Sequence, residues 1–227
     1  RWLVRYAREQ RGELGRVQVR FGEPLALREA LAAGTGDDPS RRSIALSKAA
    51  FEVCTRINRA TPITPNSIVT LALLGMDGWA VTLAQAQRAI DPIAQYVARR
   101  GLPGSESLTP FRSSEGLLRV LAMLVEHGVV EQIEGSETVY RISPDRELAA
   151  AFYRNVVIHW FVNRAIVELA LVAATEAAQG SDPIGVAQSE ALRLRDLLKF
   201  EFFFAEKTEF ESELRDEVGL IDPTWRD

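Results

Sequence analysis

A chain of 227 residues suffices for one large domain or two small ones, and 47% hydrophobic with 26% charged residues is the balance of a well-packed globular protein. Acidic residues number 31 against 27 basic ones, a formal charge of -4, which speaks against a general nucleic-acid binder, since that needs a basic surface to neutralise phosphates. The single cysteine, Cys54, allows no intrachain disulfide and fits a reducing compartment, and no stretch reaches the ~18 uninterrupted apolar residues of a membrane span.

Residues 1 to 10 are expected to form a short amphipathic helix. They lack the apolar core and cleavage site of a signal peptide, and there is no initiator Met, so the chain reads as a piece of a longer protein. Arg16 to Phe21 alternates polar and apolar residues, the period of a half-buried strand, and Gly22-Glu23-Pro24 ends it. A short helix follows over Leu25 to Leu31. Ala32 to Ser40 holds paired Asp, Gly and Pro residues and reads as a linker, so the domain boundary is placed there, giving 1–40 and 41–227.

Ile44, Ala45, Ala49, Val53 and Ile57 recur at helical spacing, and Pro62 and Pro65 close that run. Asn66 to Leu74 is apolar up to Gly75. Thr82 can cap a helix over Leu83 to Arg100, stopped by Gly101, and Pro103 to Pro110 reads as a loop. Ser113 or Ser114 can cap a helix through His127, with Gly128 at its end. Two β-prone runs, Val129 to Ile133 and Thr138 to Ile142, flank a Gly135-Ser136 turn and predict a hairpin. Beyond it the pattern predicts a long helix over Arg146 to Ala178, then helices over Ile184 to Ala205 and Thr208 to Val218. The fold class is mainly α, with one small hairpin, open to a winged-helix-like reading, and an N-terminal edge strand.

Three stretches carry a family resemblance. Arg16-Val-Gln-Val-Arg-Phe-Gly-Glu-Pro-Leu25 resembles the last strand and turn of the catalytic domain in bacterial membrane-associated glycerol-3-phosphate acyltransferases. Phe152-Tyr-Arg-Asn-Val-Val-Ile-His159 resembles the Tyr-Arg-Asn-x-x-x-His segment of their C-terminal region, and Leu197-Leu-Lys-Phe-Glu-Phe-Phe203 resembles their later Leu-Lys-x-Glu-Phe segment. Arg56 to Pro62 and Leu71 to Leu74 add weaker matches in the same order. The resemblance implies that residues 1–40 close an acyltransferase domain and that 41–227 form a helical C-terminal domain. It singles out Tyr153, Arg154, Asn155, His159, Lys199 and Glu201 as structural or domain-interface residues. It implies no cofactor, an upstream acyltransferase domain and a membrane surface as partners, and work at the cytoplasmic face of the membrane.

In that family a His-x-x-x-x-Asp motif supplies the general base for attack of glycerol-3-phosphate on an acyl thioester. The two histidines here, His127 and His159, have Gln132 and Arg164 five positions on, so no catalytic residue is assigned and the chain is expected to begin after the chemistry ends. Asn155 and His159 share a helix face at four residues' spacing, whereas Arg154 and His159 are about 140° apart. The favoured reading is a buried polar network in which Arg154 meets a carboxylate, Glu201 and Glu206 among the candidates, or several backbone carbonyls, and Asn155 is hydrogen-bonded within the protein. The alternative is a polar patch facing the catalytic domain or its phosphate ligand. A zinc set is not supplied, since His127 and Cys54 are the only other soft ligands. Cys54 reads as inert packing, and Phe200, Phe202, Phe203, Phe204 and Phe210 read mainly as core.

Two other classes of function are set against this. One is a stand-alone winged-helix-like module over residues 66–142, whose wing, Gln132 to Thr138, has two acidic and no basic residues and would repel phosphates. The other is a membrane-contact module with no catalytic partner.

Overall fold

Capping side chains set four of the helix starts. In the computed structural model, which describes residues 19–32, 38–76, 78–177 and 182–225, Thr64 and Ser67 form a reciprocal capping box, as do Thr82 and Gln85. Ser113 accepts from the Gly116 amide, and Asp182 from the Ile184 amide. Each side chain satisfies a backbone donor that the first helical turn leaves without a partner.

The chain divides into two compact units, residues 1–60 and 61–227. The first holds α1 (Leu27–Ala30) and α2 (Pro39–Ala60). Packing thus groups α2 with the N-terminal unit, whereas linker composition suggests a boundary at 40. The expected helix over 1–10 lies outside the described residues, as does the start of the expected Arg16 strand. Its described part, Val19 to Phe21, carries no regular element and is exposed.

The second unit begins with α3 (Pro65–Leu74), β1 (Val81–Thr82), α4 (Leu83–Arg99), α5 (Leu108–Phe111), α6 (Ser114–Glu126), β2 (Glu131–Ile133) and β3 (Val139–Arg141). The strands form an antiparallel sheet in the order β1-β3-β2, with Tyr140 opposite both Val81 and Gln132. Helix, strand, two long helices joined by the short α5, and a hairpin, with the first strand closing against the last, is the arrangement of a winged helix. β1 is two residues long, too short for a periodicity signal. Gly101 and Gly128 end α4 and α6 at φ of +61° and +65°, values that glycine reaches without a Cβ clash. The expected loop over 103–110 contains the start of α5. Ile68, Val69, Leu117, Leu121, Leu124 and Val157 lie at the centre of the first core.

The expected helix over Arg146 to Ala178 is broken. α7 (Glu147–Asn155) ends in a 3-10 turn over Ile158–Trp160, and α8 (Val162–Glu176) follows. Hydrogen bonds from Val157 N to Arg154 O, Trp160 N to Val157 O and Phe161 N to Ile158 O tighten the chain there. The β-branched run Val156-Val157-Ile158 is a weak helix former. Burial then decides: Ala150 and Val157 join the first core, and Val162 and Ile166 join a second one, with α9 (Pro183–Leu198) and α10 (Lys207–Ile221). α9 stops at Leu198, earlier than the expected Ala205. The turn after it sends Phe202 and Phe204 against the second core, where Phe210 is fully buried, and leaves Phe200 86% exposed.

The turn between α5 and α6 requires close approach of two backbones. A Cβ on Gly116 would lie 2.0 Å from the Pro110 carbonyl oxygen and 2.8 Å from Phe111 Cα. Backbone cannot rotate away, so Gly116→Ala is expected to cost at least about 3 kcal/mol, the upper end of overpacking. Gly135→Ala, whose Cβ would meet nothing nearer than 3.6 Å, is expected to change stability by under about 1 kcal/mol. Urea unfolding of both variants checks the contrast.

Candidate functional site

The residues singled out by sequence fall into two surface groups. Tyr153 packs against the first core, its ring 5.8 Å from that of Phe152 and nearly perpendicular to it. Arg154 is half-buried at the end of α7, and its Nε and Nη2 donate to Asn155 Oδ1 at 3.1 and 3.0 Å. Asn155 itself is exposed. His159 lies in the 3-10 turn with its ring 4.9 Å from that of Trp160. Lys199 and Glu201 are exposed beyond the end of α9, where Lys199 Nζ lies 5.5 Å from the centre of the Phe200 ring and 3.7 Å from Asp196.

The expectation that Arg154 meets Glu201 or Glu206 in a buried network is therefore corrected. Among the described residues it forms no ion pair, and its fork holds the adjacent side chain instead. Both residues lie in the last turn of α7, whose one buried residue is Ala150.

The buried polar network lies elsewhere. Glu217 on α10 is fully buried. Its Oε1 accepts from Tyr96 Oη and pairs with Arg100 Nη2, both at 2.9 Å. Tyr96 and Arg100 lie one turn apart, on α4 and at its C-terminal cap, so one helix supplies both partners. Glu217 Oε2 and Arg100 Nε are buried with no hydrogen bond, so the pair is incompletely satisfied. Burial pushes the Glu217 carboxyl above its ordinary range, against the pull of Arg100 and Tyr96. Burial and the adjoining carboxylate raise the Tyr96 phenol well above its usual range. Asn163 Nδ2 donates to Glu213 Oε2 at 2.9 Å, a second polar link, here between α8 and α10.

Sequence did carry a signal for this network. Phe210, Leu214 and Glu217 recur at i, i+4 and i+7, so a carboxylate occupies an apolar position of α10. Beside it a cleft of about 410 Å³ is lined by Leu71, Ile93, Tyr96, Arg99, Phe161 and Arg164. Arg164 stands 5.9 Å from the Tyr96 ring centre and donates to Glu168 at 2.6 Å.

This arrangement fastens helices rather than moving protons. His127 Nδ1 is 2.7 Å from the Met123 carbonyl oxygen, and His159 packs on Trp160, and neither stands in a His-x-x-x-x-Asp motif. No cluster among the described residues could hold a metal ion, and no described helix is long and apolar enough to cross a membrane.

The model of the glycerol-3-phosphate acyltransferase C-terminal region matches residues 1–225. A Mycobacterium bovis protein whose name, acyltransferase plsB1, is provisional is 43% identical over 225 residues, 97% of this chain and 35% of that protein. A Mycobacterium tuberculosis protein of the same name matches equally. A glycerol-3-phosphate acyltransferase of Xanthomonas axonopodis is 26% identical over 158 residues, 65% of this chain and 17% of that protein. The chain thus spans about a third of the length of the mycobacterial relatives. No solved structure matches it significantly.

Removing one partner of the Glu217 pair strands a buried charge. Arg100→Met is expected to cost about 3 kcal/mol, and the double variant Arg100→Met/Glu217→Leu to regain most of that, because no buried charge remains. The pH dependence carries a definite sign. With its folded pKa raised, Glu217 keeps a proton that the unfolded chain releases, so its contribution is fully present below the unfolded value and falls as pH rises toward the folded one. Glu217→Gln is expected to remove that fall, read from urea melts between about pH 4 and pH 8.

Proposed function

The chain belongs to the glycerol-3-phosphate acyltransferase C-terminal region family, and on that premise we propose that it is the non-catalytic helical part of a longer enzyme. That enzyme transfers an acyl group from acyl-CoA or acyl carrier protein to the 1-hydroxyl of glycerol-3-phosphate. The observation that carries the reading is the family match along nearly the whole chain, together with relatives about three times as long. Neither histidine of this chain has an aspartate five positions on, so the general base belongs to the preceding domain. The acyl donors are cytosolic thioesters and the products are lipids, which puts the enzyme at the cytoplasmic face of the membrane.

The winged-helix part serves protein contact. In a DNA-reading winged helix, the exposed face of the helix before the hairpin would enter the major groove. Here α6 exposes Glu115, Arg119 and Glu126, and the wing exposes Glu134 and Glu137. Four carboxylates against one guanidinium repel a phosphate backbone.

The turned-out Arg154 favours a polar patch directed at the catalytic domain or its phosphate ligand. A half-buried arginine that forms no ion pair among the described residues contributes little to the fold.

Three outcomes test this reading. The complete protein is expected to acylate glycerol-3-phosphate, while residues 1–227 alone give no product above background. Activity from the isolated chain would return the general base to it. No sequence-dependent shift of duplex DNA is expected at physiological salt. Arg154→Ala is expected to leave unfolding within about 0.5 kcal/mol of the parent and to lower the complete enzyme's activity, through the KM for glycerol-3-phosphate or through kcat. Clear destabilisation with unchanged activity would restore a purely structural role.

A further inference from the structure

α2 is charged on one side and apolar on the other, and its apolar side is exposed. Its six charged residues, Arg41, Arg42, Lys48, Glu52, Arg56 and Arg59, fall within an arc of about 120° on a helical projection. Buried Ala45 and Ala49 lie in that same arc. Leu46, Ala50, Val53 and Cys54, at i, i+4, i+7 and i+8, form a stripe on the other side with no charge among them. Leu46 is 61% and Val53 41% exposed, and Ala50 and Cys54 are exposed as well. A surface helix turns its apolar side to the core and its charged side to water, the reverse of what α2 does. An apolar stripe left in solvent marks a contact surface.

The same helix holds the incoming chain. Arg56 Nη1 donates to the Glu23 and Pro24 carbonyl oxygens at 3.2 and 2.8 Å, and its Nε donates to Glu52 at 2.6 Å. This clamp holds the Phe21-Gly-Glu-Pro24 segment against α2, where Gly22 approaches Arg56 and Ala60. Relatives of the chain are about three times its length.

We propose that the Leu46–Ala50–Val53–Cys54 stripe docks the acyltransferase domain that precedes it in the same polypeptide, the domain that residues 1–40 close. The inference rests on the function proposed above and adds the surface by which the two parts meet. Size selects this occupant over a second copy. The stripe is about 12 Å long and a helix about 10 Å wide, well below the ~800 Å² per partner of a stable interface. A covalently attached domain meets it at an effective concentration of the order of millimolar, so a small apolar contact suffices.

The test uses the complete protein with photoreactive benzoylphenylalanine in place of Leu46 or Val53, one at a time, and in place of Lys48 as a control on the charged side. Each is irradiated with and without phosphatidylglycerol vesicles, and the crosslinked peptides are mapped by mass spectrometry. Expected are intrachain crosslinks from positions 46 and 53 to peptides N-terminal to Val19, at least five-fold above position 48. Crosslinks between two copies that grow with protein concentration would overturn the proposal in favour of a dimer face. Lipid adducts without intrachain crosslinks would overturn it in favour of a membrane face, and equal yields at all three positions would overturn it outright. Acylation measured on the same samples separates the two readings. Intrachain crosslinks in an inactive protein support the docking and sink the function, whereas an active protein without them sinks the docking alone.

Discussion

A carboxylate cut off from water fixes the relation between the two cores of residues 61–227. Glu217 belongs to α10 and the second core, while its partners Tyr96 and Arg100 come from α4, which packs on the first. Apolar contact is non-directional, so it tolerates sliding of one layer over another. A buried charge does not, because a shift of an ångström would leave Glu217 without its counter-charge. One geometry between α4 and α10 is thereby selected, at a cost visible in the unpaired Glu217 Oε2 and Arg100 Nε.

The break between α7 and α8 follows from the same two-core plan. A straight helix would have served one core or the other. Ending α7 at Asn155 and turning through Ile158–Trp160 lets Val157 fill the first core while Val162 and Ile166 fill the second. Trp160 fastens the turn by donating Nε1–H to the Thr61 carbonyl oxygen at 3.2 Å. Arg154 and Asn155 stand at the end of α7, half-buried and exposed, and form a polar pair turned toward whatever lies outside.

The chain uses familiar shapes without the chemistry attached to them. A winged-helix arrangement carries an acidic face, and two histidines stand outside any His-x-x-x-x-Asp motif. What it does supply is a set of positioning devices: an arginine clamp on an incoming turn, an apolar stripe on the same helix as that clamp, and a helical body fastened by a buried ion pair.

Sequence alone determined the starts of α4 and α6, because capping is local. Thr82 and Ser113 need only their own next three residues to act, and Gly101 and Gly128 only their own backbone freedom. It determined the hairpin and the family, the latter through motifs in a fixed order. It also excluded a His-x-x-x-x-Asp pair by inspection. Tertiary structure alone decided where Arg146 to Ala178 breaks, since the periodicity of that stretch fits one long helix and only two separate cores require a turn within it. It decided that β1 exists, because two residues become a strand only when Tyr140 lies opposite Val81. It also decided which charge is buried: Arg154 and Glu217 both stand in apolar stretches, and the neighbours of each come from elements far away in the chain, where no local spacing reaches.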